Sequence, residues 1–147
     1  MIGPIIKFIR LDGGKRRLLL QAVRELFRAR RELSNKPFRE LITRLETCPG
    51  EVLSPAGDPG REGQAKTIGW AIHVASAYSP GDNNCLVQVM AAQRMMQSKE
   101  IGGAIYLGAP RVKEQDFVAH AWLKHGEIFI TGEAGHERFK TLTTFTW

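Results

Sequence analysis

Cysteine is scarce in this chain: Cys48 and Cys85 are the only two among 147 residues, and no apolar leader with a small-residue cleavage site precedes them. That combination excludes a secreted disulfide scaffold and points to reduced thiols in a cytoplasmic protein. There is no Cys-x-x-Cys pair and no His-Glu-x-x-His segment, so neither a metal site nor another cofactor is expected. The longest apolar stretches, 18–23 and 86–90, are short and interrupted by charge or amide groups, which argues against a transmembrane segment. Internal repeats and low-complexity tracts are also missing. With 43% hydrophobic residues, the remaining expectation is a single soluble domain, 1–147, with a core that needs no staples.

Positive charge, by contrast, is abundant and unevenly placed. Residues 1–45 hold 12 Lys/Arg against 4 Asp/Glu, a net +8, whereas residues 46–147 hold 9 against 11, a net −2. A basic front segment either meets an acidic partner, a nucleic acid or an anionic membrane, or is simply a solvated helix face.

Gly3-Pro4 and Asp12-Gly13-Gly14 interrupt residues 1–14, which read as an irregular or short extended lead. A basic amphipathic helix is predicted from about Lys15, with Leu19, Ala22, Val23, Leu26 and Phe27 on the apolar stripe. Asn35-Lys36-Pro37 separates it from a short second helix carrying Phe38, Leu41, Ile42 and Leu45. The basic helical part thus spans 1–47, and the Pro/Gly-rich stretch 48–63 reads as an exposed loop. The remaining core is placed at 64–147. A helix over roughly Glu62 to Ala77, closed by Pro80, leads into it, followed by a buried central helix starting at Cys85 with Asn84 as cap. Gly102-Gly103 ends that helix. Strands are predicted over Ala104–Leu107, Phe117–Leu123 and Glu127–Thr131, with a fourth over Thr141–Phe145. Helices first and an antiparallel sheet after them make an α+β layout.

Two residues carry the candidate chemistry. Amide hydrogens and the dipole at a helix start favour an anion, so Cys85 is placed as a thiolate nucleophile. His120, 35 residues further on in a strand, is placed as its base. Strand alternation puts Trp122 on the same face as His120, where it can wall the site. His73, His125 and His136 read as surface or locally bonded residues, and Cys48 as a spare thiol.

The order Trp70-Ala71, Pro80, Cys85-Leu86 with Ala91, a strand leading to Leu107-Gly108, and Ala119-His120-Ala121-Trp122-Leu123 before the Gly126 turn resembles one known family. These are the transglutaminase-like cysteine peptidases of lasso-peptide biosynthesis, the lasso B proteins. The likeness covers about residues 61 to 145, and more loosely the N-terminal helices with Pro37-Phe38-Arg39. It implies a transglutaminase-like, papain-like fold: N-terminal helices, a central helix carrying the cysteine and a small antiparallel sheet carrying the histidine. The implied activity is hydrolysis that removes the leader from a ribosomally made precursor peptide, through a Cys85 thioester with His120 as acid and base. A chain this short looks like the split form of the family, which implies a separate leader-recognition protein and an ATP-dependent cyclase as partners. For the oxyanion, the amide of Cys85 is expected, aided by Asn83 or Asn84. The family places an acidic residue after the histidine strand. Here Glu133 is the expected orienting group, with Thr131 or a backbone carbonyl as alternatives, and Asp116 or Glu127 behind them. Two other readings stand beside this one: a basic nucleic-acid- or protein-binding adaptor with a structural Cys85, and an acyltransferase or cross-linking enzyme using the same thioester.

Overall fold

Apolar stripes broken by turns produce five helices and five strands in the computed structural model, which describes residues 2–112 and 119–147. The first helix, α1 (Ile2–Arg10), lies where the sequence reads as irregular. Pro4 falls within its first turn, where a missing N–H removes no intrahelical bond, so the Gly-Pro pair does not prevent it. Asp12 then caps α2 (Gly13–Asn35) by accepting a bond from the Lys15 amide at 2.9 Å. Leu19, Ala22, Leu26 and Ala29 form the buried stripe of α2. Val23 and Phe27, predicted on that stripe, are exposed instead, so the buried face is narrower than the pattern implies.

After the single turn α3 (Phe38–Leu41), a strand, β1 (Glu46–Pro49), straddles the boundary between the expected helical part and the expected loop. Pro49 is tolerated because β1 is an edge strand. Two longer helices follow, α4 (Glu62–Tyr78) and α5 (Cys85–Ser98). In α5 nearly every residue from Val87 to Met96 is buried, which marks a helix enclosed on all sides.

The remaining strands are β2 (Ala104–Pro110), β3 (His120–His125), β4 (Ile128–Thr131) and β5 (Phe139–Thr146). They join β1 in one antiparallel sheet of order β1-β5-β2-β3-β4. The predicted strand residues Phe117 and Val118 lie outside the described residues. Helices α2, α4 and α5 pack together and cover one face of the sheet, α5 over β3 and α4 over β4. Ile68, Ile72, Met90, Met95, Ile105 and Leu123 fill the layer between them. The architecture is α+β.

The other face carries its own small cluster, in which Tyr106 stacks on Trp122 with ring centroids 5.8 Å apart. The chain following β1 holds this face: the Tyr106 hydroxyl donates to the Val52 carbonyl at 2.8 Å, and the Val52 amide donates to Thr144 Oγ1 at 3.1 Å. Burial, reinforced by the negative charge of Glu51, pushes the Tyr106 phenol above its ordinary pKa. His125 is not a surface residue. Its buried ring donates from Nδ1 to the Gly102 carbonyl at 2.7 Å and accepts at Nε2 from the Asp58 amide at 3.2 Å, tying two loops to the end of β3.

Candidate active site

A turn and a cap set the start of α5. Asn84 has extended backbone angles, and its Oδ1 accepts from the Val87 amide at 3.1 Å while its carbonyl takes the Gln88 amide at 3.0 Å. Helix geometry leaves no carbonyl behind the amides of Cys85 and Leu86, so the thiol sits at the electropositive end of the helix. Asn83 fixes the approach to this end. Its Oδ1 accepts from Arg30 Nη1 at 2.8 Å, its Nδ2 donates to the carbonyls of Ser76 and Ser79, and its own carbonyl accepts from Gln88 Nε2 at 2.8 Å. The Asn83 side chain thereby joins α2 to the end of α4, and its backbone carbonyl ties in the start of α5 through Gln88.

His120 opens β3, directly opposite Gly108 of β2. Its ring lies 5.7 Å from that of Trp122 and 5.0 Å from that of Phe139, centroid to centroid, so aromatic neighbours limit its rotation. Nε2 lies 2.8 Å from the Gly132 carbonyl oxygen. A carbonyl only accepts, so Nε2 carries the proton, and among the described residues no side chain or carbonyl bonds Nδ1, which holds the lone pair when the ring is neutral. Gly132 holds this carbonyl at a φ of +76°, and a Cβ built on it would meet the Ala121 carbonyl oxygen at 2.4 Å. Only glycine fits there without displacement. The Cys85 thiol points toward the same strand end, with Sγ 4.0 Å from the Ala119 carbonyl oxygen.

Cys85, His120 and Glu133 all line one cavity of about 680 Å³ between α4, the start of α5 and the segment after β4. The Glu133 carboxylate is exposed, however, and its contact is made by its backbone carbonyl, which accepts from His136 Nδ1 at 2.7 Å. The group on His120 Nε2 is the Gly132 carbonyl, the backbone alternative rather than a carboxylate. The Thr131 hydroxyl is buried without a partner, Glu127 pairs with Lys124 at 3.7 Å, and Asp116 lies outside the described residues. Asn83 and Asn84 are absent from the cavity wall: the first is committed to the inter-helix bonds and the second to the cap. Trp122 is buried against His120 rather than lining the space.

Three polar wall residues escaped the sequence reading as site residues: Lys66, His73 and Gln88. Lys66, Trp70 and His73 share one face of α4 at helical spacing, and Gln88 lies one turn below Cys85. Those spacings were the available signal. Among the described residues, no three His, Cys, Asp or Glu side chains gather to hold a metal ion. No helix among them is long and apolar enough to cross a membrane.

A family model described as the Transglutaminase-like superfamily matches residues 18–144, which takes in most of α2, the whole cavity wall and most of β5. No curated protein and no solved structure matches the chain.

Proposed function

The chain belongs to the Transglutaminase-like superfamily, and from that premise we propose that it is a cysteine peptidase that removes the leader from a lasso-peptide precursor. Membership of the superfamily is compatible with both cysteine-peptidase and transglutaminase-type acyl chemistry. The observation that carries the reading is the shared cavity, with Cys85 at a helix start and the His120 ring set by Gly132 so that Nδ1 is the free base. The lasso assignment rests on the sequence resemblance, in particular the run Ala119 to Leu123.

In this mechanism His120 Nδ1 takes the Cys85 proton, and Sγ attacks the carbonyl carbon at the leader–core junction. The oxyanion forms beside the amide of Cys85, at the end of α5 where positive potential is greatest. The C–N bond then breaks as imidazolium returns its proton to the departing amine, leaving the leader as a thioester on Cys85. His120 next removes a proton from water, whose oxygen displaces sulfur and releases the leader as a carboxylic acid. Gly132 acts throughout by keeping Nε2 protonated and the ring in place. A separate leader-recognition protein delivers the precursor, and an ATP-dependent cyclase consumes the freed core.

The test is to incubate the chain with its matching precursor and leader-recognition protein and to identify products by mass. Water addition with leader release is expected for wild type, with loss of at least about 10³-fold in Cys85→Ala and His120→Ala. Cleavage at the wild-type rate by both variants overturns the assignment. An amide-linked product in place of hydrolysis would identify acyl transfer.

A further inference from the structure

The geometry points to a second substrate-holding surface: we propose that the groove between α1, α2 and α4 receives an acidic, amphipathic helical segment of the same peptide that is opened at Cys85. The inference rests on the reading of Cys85 as the nucleophile.

The groove encloses about 610 Å³, and Phe8, Leu11, Leu19 and Val74 contribute apolar surface to it. Its edge includes Leu20, 61% exposed, and Val23, 42% exposed, neither of which the core uses. An apolar trough flanked by three helices matches the side-chain ridge of a fourth, with anchors at i, i+3 and i+4. A bilayer is flat and would reach only the lips.

Charge selects the sign of the occupant. Lys7 and Arg10 line the groove, and Arg16, Arg17 and Arg24 are exposed along α2, within a segment whose net charge is +8. Carboxylates flanking the apolar anchors would lie against this rim, which favours an acidic helix over a neutral or basic one.

Position supplies the link to the chemistry. Trp70 lines both the groove and the cavity holding Cys85 and His120. Successive turns of α4 face first one space and then the other: Lys66 and His73 border the cavity, Val74 and Tyr78 the groove. A peptide seated in the groove therefore needs only to pass Trp70 to reach the thiol, and the contact raises its effective concentration there.

The probe is a fluorescein-labelled peptide with leucines at helical spacing and glutamates between them, titrated into the full chain carrying Cys85→Ala, so that binding is read without chemistry. Saturable binding is expected, weakened at least tenfold by Leu20→Glu with Val23→Glu and by Lys7→Glu with Arg10→Glu. Circular dichroism checks that each variant is folded. A counterpart with lysine in place of glutamate is expected not to bind. Equal binding by the variants or by the lysine peptide overturns the proposal, as does binding of phosphatidylserine vesicles in preference to the peptide.

In a second arm the acidic peptide bears a chloroacetyl group at one end or the other, and wild-type thiolate displaces chloride to form a thioether. Labelling of Cys85 at least tenfold faster than of Cys48, lost in the Leu20→Glu, Val23→Glu variant, is expected. Groove-dependent binding without preferential Cys85 labelling would overturn the claim that both spaces serve one peptide, whereas the catalytic reading is decided separately by product mass.

Discussion

Gly132 and Gly135 form a matched pair that isolates how the histidine is held. Both have left-handed backbones, with φ of +76° and +78°. Alanine at either position meets the same conformational cost of about 1–2 kcal/mol. A Cβ at Gly135 would meet nothing within 4 Å, whereas at Gly132 it would lie 2.4 Å from the Ala121 carbonyl oxygen and 2.8 Å from the Trp122 Cα. Those neighbours are backbone atoms of β3 and have no rotamer by which to retreat. Gly132→Ala therefore adds an overpacking cost of about 1–3 kcal/mol to the shared term. Urea unfolding of the two variants, compared by linear extrapolation, is expected to show that difference directly. Relief of the clash also moves the carbonyl that His120 Nε2 donates to. Leader release is expected to fall by about 10²-fold in Gly132→Ala, the scale of an ångström-sized misplacement, and to stay near wild type in Gly135→Ala. Equal destabilisation, or equal activity in the two, would refute the claim that this carbonyl orients the base.

Glu133→Gln is expected to keep cleavage within about twofold of wild type, because the bound group at this site is a backbone carbonyl; a loss beyond tenfold in steady-state rates would return the orienting role to the carboxylate. Asn83→Ala removes three side-chain bonds, one from Arg30 of α2 and two to carbonyls at the end of α4, and should lower unfolding free energy by about 1–3 kcal/mol, with a double-mutant cycle against Arg30→Ala reporting their coupling. An unchanged denaturation midpoint would contradict that role. For Tyr106 the folded phenol ionises above its ordinary value of 10.0, so its contribution to stability is fully present below that pH and is lost as pH rises through the folded value. Alkaline denaturation curves should accordingly be flatter above pH 10 in Tyr106→Phe than in wild type, and identical curves would refute the linkage.

The start of α5 was legible because its signals are local: a proline, a glycine, an asparagine cap and then an apolar run broken only by Gln88. The strand pattern around His120 was legible for the same reason. What holds His120 was not, since a backbone carbonyl has no side-chain identity and the search favoured a carboxylate. The edge strand β1 was hidden by Cys48-Pro49-Gly50, whose composition reads as loop; its pairing with β5 is a partner effect from nearly a hundred residues away. α1 was missed because Gly3 and Pro4 break a helix interior but not its first turn. His125 reads as a surface or locally bonded residue, and only the folded chain brings Gly102 and Asp58 to its two nitrogens. Val23 and Phe27 fit the helical period, yet the period does not set how wide a stripe the neighbours cover.

The place of β5 inside the sheet, between β1 and β2, has a consequence for synthesis. The ribosome delivers β1 and β2 long before the strand that joins them, and until Phe139–Thr146 emerges each has an open edge. The helical layer can gather first, but the Cys85 thiol waits on a nascent chain whose sheet closes last. Long-range closure of this kind, by an interior strand pairing two others, is slow and leaves unpaired edges to self-association. Ribosome-arrested chains stopped before residue 139 should accordingly be protease-sensitive throughout the sheet.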